Sequence, residues 1–434
     1  MKIKKLLATV LTGAMSLSLV ACGSSSTGTS SGGSKSDDKS ITVWAWDDTF
    51  NIKAANMAKE KYEKAHPDVK VNVVSMAQDD VVQKLNTSLS SGTYDGLPNV
   101  VLIEDYRIQN YLKAYPGEIK DLSSYVDANN FMDYKTKVMS EGGKIYGVPF
   151  DSGVAALFYR KDLVEQAGYT EADMQDITWE KYIEVGKAVK AKTGVDWMTM
   201  DPSDLNQLRI MMQSAGSWYV DDDNKVNLAN NQALKDGIEV YRQMLDADIV
   251  KKVSGWDAFV AAFQKGDVAS VANGCWINSS VKAAEDQKGK WAVAAIPRLG
   301  ANSKSVNASN SGGSSWYVLD KVGNSDLAAD FLKETFASDK DLMNDLLPAI
   351  GLVSTMKDAD NGSNYAQGDE FYGGQAIYKD FAEWTNEIPA VNYGLDTYNI
   401  ENIMAEGMQK IVNGEDVDKT LKDTEAQAQS AVTK

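Results

Sequence analysis

Two cysteines, one histidine and eight prolines in 434 residues leave little from which to build metal or nucleophile chemistry. His66 lies in Ala65-His66-Pro67-Asp68, a turn between an expected helix and an expected strand, so a Ser-His-Asp or Cys-His system would rest on that single ring. A histidine-rich zinc site is excluded, and no clustered cysteines replace it. Asp221-Asp222-Asp223-Asn224 has the composition of a calcium loop, but Lys225, Val226 and Asn227 break the ligand spacing and no turn glycine follows. A solvated hairpin turn fits that stretch better. The chain has neither a Gly-x-Gly-x-x-Gly nor a Gly-Lys-Ser/Thr phosphate loop, so no metal and no cofactor is expected. Positive charge is also scarce, with 44 Lys and Arg against 61 Asp and Glu and a net charge of −17. Such a surface repels phosphate backbones and anionic headgroups, which argues against nucleic acid and against docking on lipid surfaces.

A membrane-spanning run is missing too. The apolar stretch from Leu6 to Val20 falls short of the roughly 20 residues a span needs. It follows Lys2, Lys4 and Lys5 and ends at Leu19-Val20-Ala21-Cys22, the parts of a secretory leader. Leu-Val-Ala-Cys resembles a bacterial lipobox, which implies cleavage before Cys22 and lipid on its sulfur and new amino terminus; an ordinary leader with an incidental cysteine is the alternative. Residues 23–36 are almost wholly Gly, Ser and Thr, a flexible composition. Residues 1–21 therefore read as leader and 22–39 as tether. The body is expected at the extracellular face of the cytoplasmic membrane, lipid-anchored, in a bacterium of Gram-positive type. Loss of the three leader lysines takes the net charge from −17 to about −20. Cys275 then stands alone in the body, with no partner for a disulfide, and its Val-Ala-Asn-Gly-Cys-Trp setting predicts a buried, inert thiol.

What the chain has in quantity is aromatic residues in loops. Ten Trp and 19 Tyr are present, many beside Asp, Asn or Gly instead of within apolar runs. Ring faces with hydrogen-bonding neighbours suit sugars, whose C–H patches stack while their hydroxyls need polar partners. At 43% hydrophobic, the roughly 395 residues beyond the tether suffice for two domains.

Residues 40–46 have strand composition and end at Asp47-Asp48, 51–64 have helical periodicity, and 69–74 alternate as a strand. A helix over 81–89 and a buried strand over 99–103, ending at Glu104-Asp105-Tyr106, complete a doubly wound α/β pattern. Ligands in such sheets sit beyond the strand carboxyl ends. Trp46, Asp47, Asp48, Glu104 and Asp105 occupy that position; the alternative is that Trp46 packs and the carboxylates cap helices. A hairpin over 143–151, a strand running into a helix over 154–162, a Thr178-capped helix to 192 and helices over 229–247 and 257–265 follow. Strands are expected over 267–274, 291–297 and 314–319, then helices with a loop-rich insert near 361–374.

Several ordered passages carry a family resemblance. Residues 146–163 (Tyr-Gly-Val-Pro-Phe-Asp-Ser-Gly-Val-Ala-Ala-Leu-Phe-Tyr-Arg-Lys-Asp-Leu), the Phe263-to-Trp276 stretch, Ala294-Ala-Ile-Pro-Arg-Leu-Gly300 with Gly312-Gly313-Ser314-Ser315-Trp316, and the 326–332 helix resemble extracellular solute-binding proteins of the maltose-binding-protein type. The resemblance spans nearly all of 40–434. It implies a two-lobed α/β periplasmic-binding-protein-like fold of type II, each lobe a sheet flanked by helices, joined by a three-crossing hinge. The lobes would comprise 40–150 with 297–336, and 151–296 with 337–434. It further implies the receptor of a sugar ABC importer that captures an oligosaccharide and delivers it to permease subunits, a monomer without enzymatic activity. Trp276 matches a family tryptophan that stacks on sugar, and Asp48 a polar contact. The family's hinge glutamate is Gly153 here, which moves the polar role to Asp151. Asn278, Ser314 and Trp316 lie at the same crossings, and Trp197, Trp218, Tyr372, Gln375 and Trp384 are second-lobe candidates with core or surface as the alternative. The opening Val-Trp-Ala-Trp-Asp-Asp-Thr-Phe-Asn resembles relatives that take arabino- or xylo-oligosaccharides. Two other classes stay open: a tethered glycoside hydrolase using Asp47/Asp48 and Glu104/Asp105, and a surface adhesin, which needs no aromatic cleft.

Overall fold

The computed structural model describes residues 39–432, so the leader and Cys22 lie outside the described residues. Twelve strands run in chain order: β1 (Ser40–Ala45), β2 (Lys70–Ser75), β3 (Val100–Glu104), β4 (Ser140–Glu141), β5 (Lys144–Ile145), β6 (Gly147–Pro149), β7 (Ala155–Arg160), β8 (Asp196–Met200), β9 (Val250–Lys252), β10 (Val268–Gly274), β11 (Trp291–Ala295) and β12 (Ser314–Val318). Strands β4 and β5 form a small hairpin; the other ten make two five-stranded sheets.

The first sheet has the order β2-β1-β3-β12-β6, with β1 parallel to both β2 and β3 and β12 antiparallel to β3 and β6. Val100, Val101, Leu102 and Ile103 are all buried, as a central strand covered on both faces requires. Helix Asn51–Ala65 buries Asn51, Ala54, Ala55, Ala58 and Tyr62, the spacing of one helical face. The next helix is longer than its apolar core suggested, spanning Gln78–Ser91. Asp79 and Asp80 in its first turn suit the helix dipole, and Gly92 ends it in the left-handed region at φ 65°.

The second sheet has the order β11-β7-β10-β8-β9, in which β10, β8 and β9 run parallel. Thr178 Oγ1 accepts from the Lys181 backbone N–H and starts helix Trp179–Thr193. Asp221 does close a hairpin turn: its Oδ1 accepts from the Asp223 and Lys225 N–H groups, and Val220 pairs with Val226.

Three chain segments join the sheets: 150–154, 296–313 and 351–356. They lie side by side, bridged at Asp151–Ser354 and Val154–Asn310, with Ser311 N donating to Gly153 O at 2.7 Å and Ser152 N to Val353 O at 2.9 Å. The chain stays with the first lobe longer than the boundary expected at 336. Helix Lys340–Ile350 rests on helix Asn51–Ala65, with Lys61 paired to Asp339 and Lys53 Nζ donating to Ala349 O. Its buried Leu342, Met343 and Leu346 join the core there, while Leu347 packs with Tyr365 and Ala382. Among the described residues no helix is long and apolar enough to cross a membrane.

Candidate functional site

Parallel strands of both sheets end on one cleft. Trp46 and Asp47 follow β1, Glu104 ends β3, Trp256 follows β9, and Cys275 and Trp276 follow β10. With the crossing residues Asp151 and Gly312–Ser314 and the helix end Pro348–Gly351, they line a space of about 700 Å3. That size falls in the range of pockets for sizeable ligands, at the position where open α/β sheets bind them.

Trp276 is fixed from behind. Its indole N–H donates to Ser311 O at 2.8 Å, so the ring offers a face and has no donor left over. A Cβ at Gly274 would collide with that indole nitrogen and with Ser311 O, which explains the glycine two residues earlier. Trp256 stands beside Trp276 with ring centroids 5.8 Å apart, and is half exposed at 51%.

Asp151 is buried at the first crossing, where Oδ1 accepts from Ser314 N at 2.7 Å and Ser314 Oγ at 2.9 Å. Gly153, where the resemblance implies a glutamate, has no room for a side chain: a Cβ would sit 2.5 Å from Ser311 O and 2.9 Å from Asn310 Oδ1. Glu104 accepts from Tyr398 of the second lobe at 2.8 Å and from Arg107 at 3.1 Å, and the Arg107 guanidinium lies over the Tyr398 ring. Asn278 accepts from Tyr372 OH at 2.6 Å and donates to Tyr378 OH at 3.0 Å.

Of the residues expected from sequence, Trp46, Asp47, Glu104, Asp151, Trp276, Asn278 and Ser314 line the cleft. Asp47 does so while capping: its Oδ1 accepts from Thr49 N, Thr49 Oγ1 and Phe50 N. Asp48 is exposed and outside the lining. Asp105 is corrected to a buried ion pair, its Oδ2 2.6 Å from Lys135 Nζ; burial pushes its carboxyl up to about 6 against the pull of Lys135. Three tryptophans belong to the core. Trp197 lies under Gly186, Trp218 donates to Thr397 Oγ1, and Trp316 stacks on Phe336. Tyr372 is buried behind Asn278, Gln375 bonds both backbone groups of Val293 on β11, and Trp384 packs half-buried against Phe381.

Residues missed from sequence include Phe50, Trp256, Lys282 and Tyr378. Trp256 had a readable signal, since Ser254-Gly255-Trp256-Asp257 is the same aromatic-beside-carboxylate turn that drew attention to Trp46. Lys282 and Tyr378 gave none, because the second lobe's helices reach the cleft only through tertiary packing. Cys275 is buried with Sγ 3.3 Å from Ser152 O, and burial raises its thiol pKa well above the ordinary range, as an inert thiol requires.

Two sheet-and-helix lobes, three adjacent crossings and a cleft at the carboxyl ends of both sets of strands define the class: a type II, MalE-like binding protein. The solved galacto-N-biose/lacto-N-biose I-binding protein of an ABC transporter from Bifidobacterium longum shares the fold at TM-score 0.72 and 24% identity, over 90% of this chain and 96% of that one. The chain belongs to the bacterial extracellular solute-binding protein family, which residues 57–372 match. It is 44% identical to a lactose-binding protein of Rhizobium radiobacter, over 89% of this chain and 92% of that one. An arabinooligosaccharide-binding protein of Bacillus subtilis (strain 168) is 27% identical over 68% of both chains.

Proposed function

We propose that this chain is the receptor of an ABC sugar importer, capturing a neutral oligosaccharide between its lobes and delivering it to the permease. The observation that carries this reading is the cleft itself, where Trp46, Trp256 and Trp276 accompany Asp47, Glu104, Asp151 and Asn278 at converging strand ends. Rings supply apolar burial for sugar C–H faces, and carboxylates and amides accept from hydroxyls. Three carboxylates line the space, and its one lysine, Lys282, is paired with Asp369 at 2.6 Å, which disfavours anionic sugars. The lactose-binding and arabinooligosaccharide-binding relatives support short galactosides and arabino-oligosaccharides as the substrate class, to which the proposal adds xylo-oligosaccharides from the sequence resemblance alone.

The protein binds without reacting. A hydrolase needs one carboxyl free to give a proton and another free to attack or activate water. Of the four carboxylates such an enzyme would use, Asp47 is engaged in its turn, Asp48 lies outside the cleft lining, both Glu104 oxygens accept hydrogen bonds, and Asp105 is sealed against Lys135. A monomer held by lipid on Cys22 at the outer face of a Gram-positive cytoplasmic membrane completes the proposal. Calorimetry against lactose, arabino-oligosaccharides and xylo-oligosaccharides tests it, with chromatography of the sugars afterwards. Saturable binding with the sugars recovered intact is expected; shorter products, or no binding across the panel, overturn it.

A further inference from the structure

Trp256 lines two spaces, the main cleft beside Trp276 and a separate pocket of about 160 Å3 in the second lobe. This second pocket lies beyond the carboxyl ends of β8, β9 and β10: Asp201 directly follows β8, Trp256 follows β9, and Asn273 is near the end of β10. It therefore sits where parallel strands present ligands, and it shares Trp256 with the main cleft. An aromatic wall is built in, for Trp256 stacks on Phe259 with centroids 5.6 Å apart and planes 16° apart. Acceptors surround that wall in Asp201, Asp204 and Asn206. Their positions are fixed. Asp201 accepts from Gly255 N at 2.6 Å, Asp204 pairs with Arg209 at 3.0 Å, and Asn206 accepts from Ser311 Oγ at 2.7 Å.

Leaving an indole half in water forgoes apolar burial that a core position would supply. Among the described residues Trp256 is the most exposed large apolar side chain, at 51%, and it stands at the junction of two cavities. From this we infer that the pocket beyond Trp256 is an additional sugar subsite, which takes one further neutral ring of an oligosaccharide whose other rings occupy the main cleft. The inference rests on the sugar-receptor reading and adds to it a preference for longer chains. A neutral ring suits the pocket because its carboxylates accept from hydroxyls while Arg209 already has its partners in Asp204 and Glu401.

The test compares chain lengths on the full chain carrying Cys22→Ser, with linear arabino-oligosaccharides of two to five units and with lactose against galactosyl-lactose. Calorimetry on wild-type side chains should show affinity rising roughly tenfold when the ring that reaches the pocket is added, the scale of one aromatic stacking contact. Trp256→Ala should abolish that rise: disaccharides lose the ring's contact in the main cleft, and the longer sugars weaken roughly tenfold more than disaccharides do. Trp256→Phe should restore part of the gain, which a merely structural role would not predict. Unfolding midpoints of both variants should match the parent. Equal affinity for short and long chains, or an equal loss for both in Trp256→Ala, overturns the subsite and leaves the sugar receptor standing. Absence of binding by every sugar overturns both.

Discussion

Trp276 has its N–H tied to Ser311 and its face turned to the cleft lining, so it is a rigid platform and not a hydrogen-bonding partner. Trp276→Ala should cost about 1–3 kcal/mol of sugar affinity with little change in thermal stability, since the ring is only partly buried. Calorimetry and thermal melts separate the two, and a large stability loss at unchanged affinity would return the residue to the core. His66, which is not among the cleft-lining residues, offers a second measurement at this scale. Its Nε2 lies 2.7 Å from Glu334 Oε2, and that bond raises the imidazole pKa above 6.5. A raised native value favours the charged form on folding. The stabilisation is therefore full below about 6.5 and fades as pH rises through the native pKa. As the chain's sole histidine it gives an unobstructed NMR titration: a midpoint above 6.5 is expected, returning toward it in Glu334→Gln.

Elements and their ends were readable where the sequence changes character abruptly. The β-branched runs of β1 and β3 stop at Asp47 and Glu104, and those stops lie on the cleft. Residue type failed where the same side chain serves two purposes. Trp46 and Trp276 line the cleft while Trp197, Trp218 and Trp316 fill cores, and adjacent polar residues did not separate them, because burial is decided by which sheet face or helix covers the ring. Asp105 misled for a related reason. It shares the β3 carboxyl end with Glu104 but turns inward to Lys135, a partner thirty residues away that no local pattern announces. Gly153, where the sequence resemblance implied a glutamate, is a steric requirement of crossings packed closely together. Gly153→Ala should therefore destabilise the fold by about 1–3 kcal/mol, the cost of overpacking. A lower denaturant midpoint with unchanged slope is the expected result; an unaltered midpoint would show that the crossings can separate without penalty.

Taken whole, the molecule has two lobes whose contacts cluster at the crossings and around Tyr106, whose ring meets Trp218, Tyr393 and Tyr398. A ligand that touches both sides of the cleft can shift the lobes only through unequal affinity for the two arrangements. Small-angle scattering should show the radius of gyration falling as sugar is added. Asp151→Ala, which removes the acceptor holding Ser314, should require more sugar for the same compaction. Tight binding with no compaction would refute closure. The anchor is tested by fractionation, where Cys22→Ser is expected to move the protein from membrane to medium.

Cys275 gives those measurements a practical route. Once Cys22 is lipidated or replaced, the body holds a single thiol, 3% exposed at the cleft lining and held toward its less reactive protonated form by burial. The native protein is thus expected to react only slowly with maleimide and methanethiosulfonate reagents, which a thiol titration without denaturant checks. A cysteine introduced on an exposed helix of each lobe would carry fluorophores or spin labels over a low background from the buried thiol, and the distance between lobes could be followed one molecule at a time as sugar arrives and leaves.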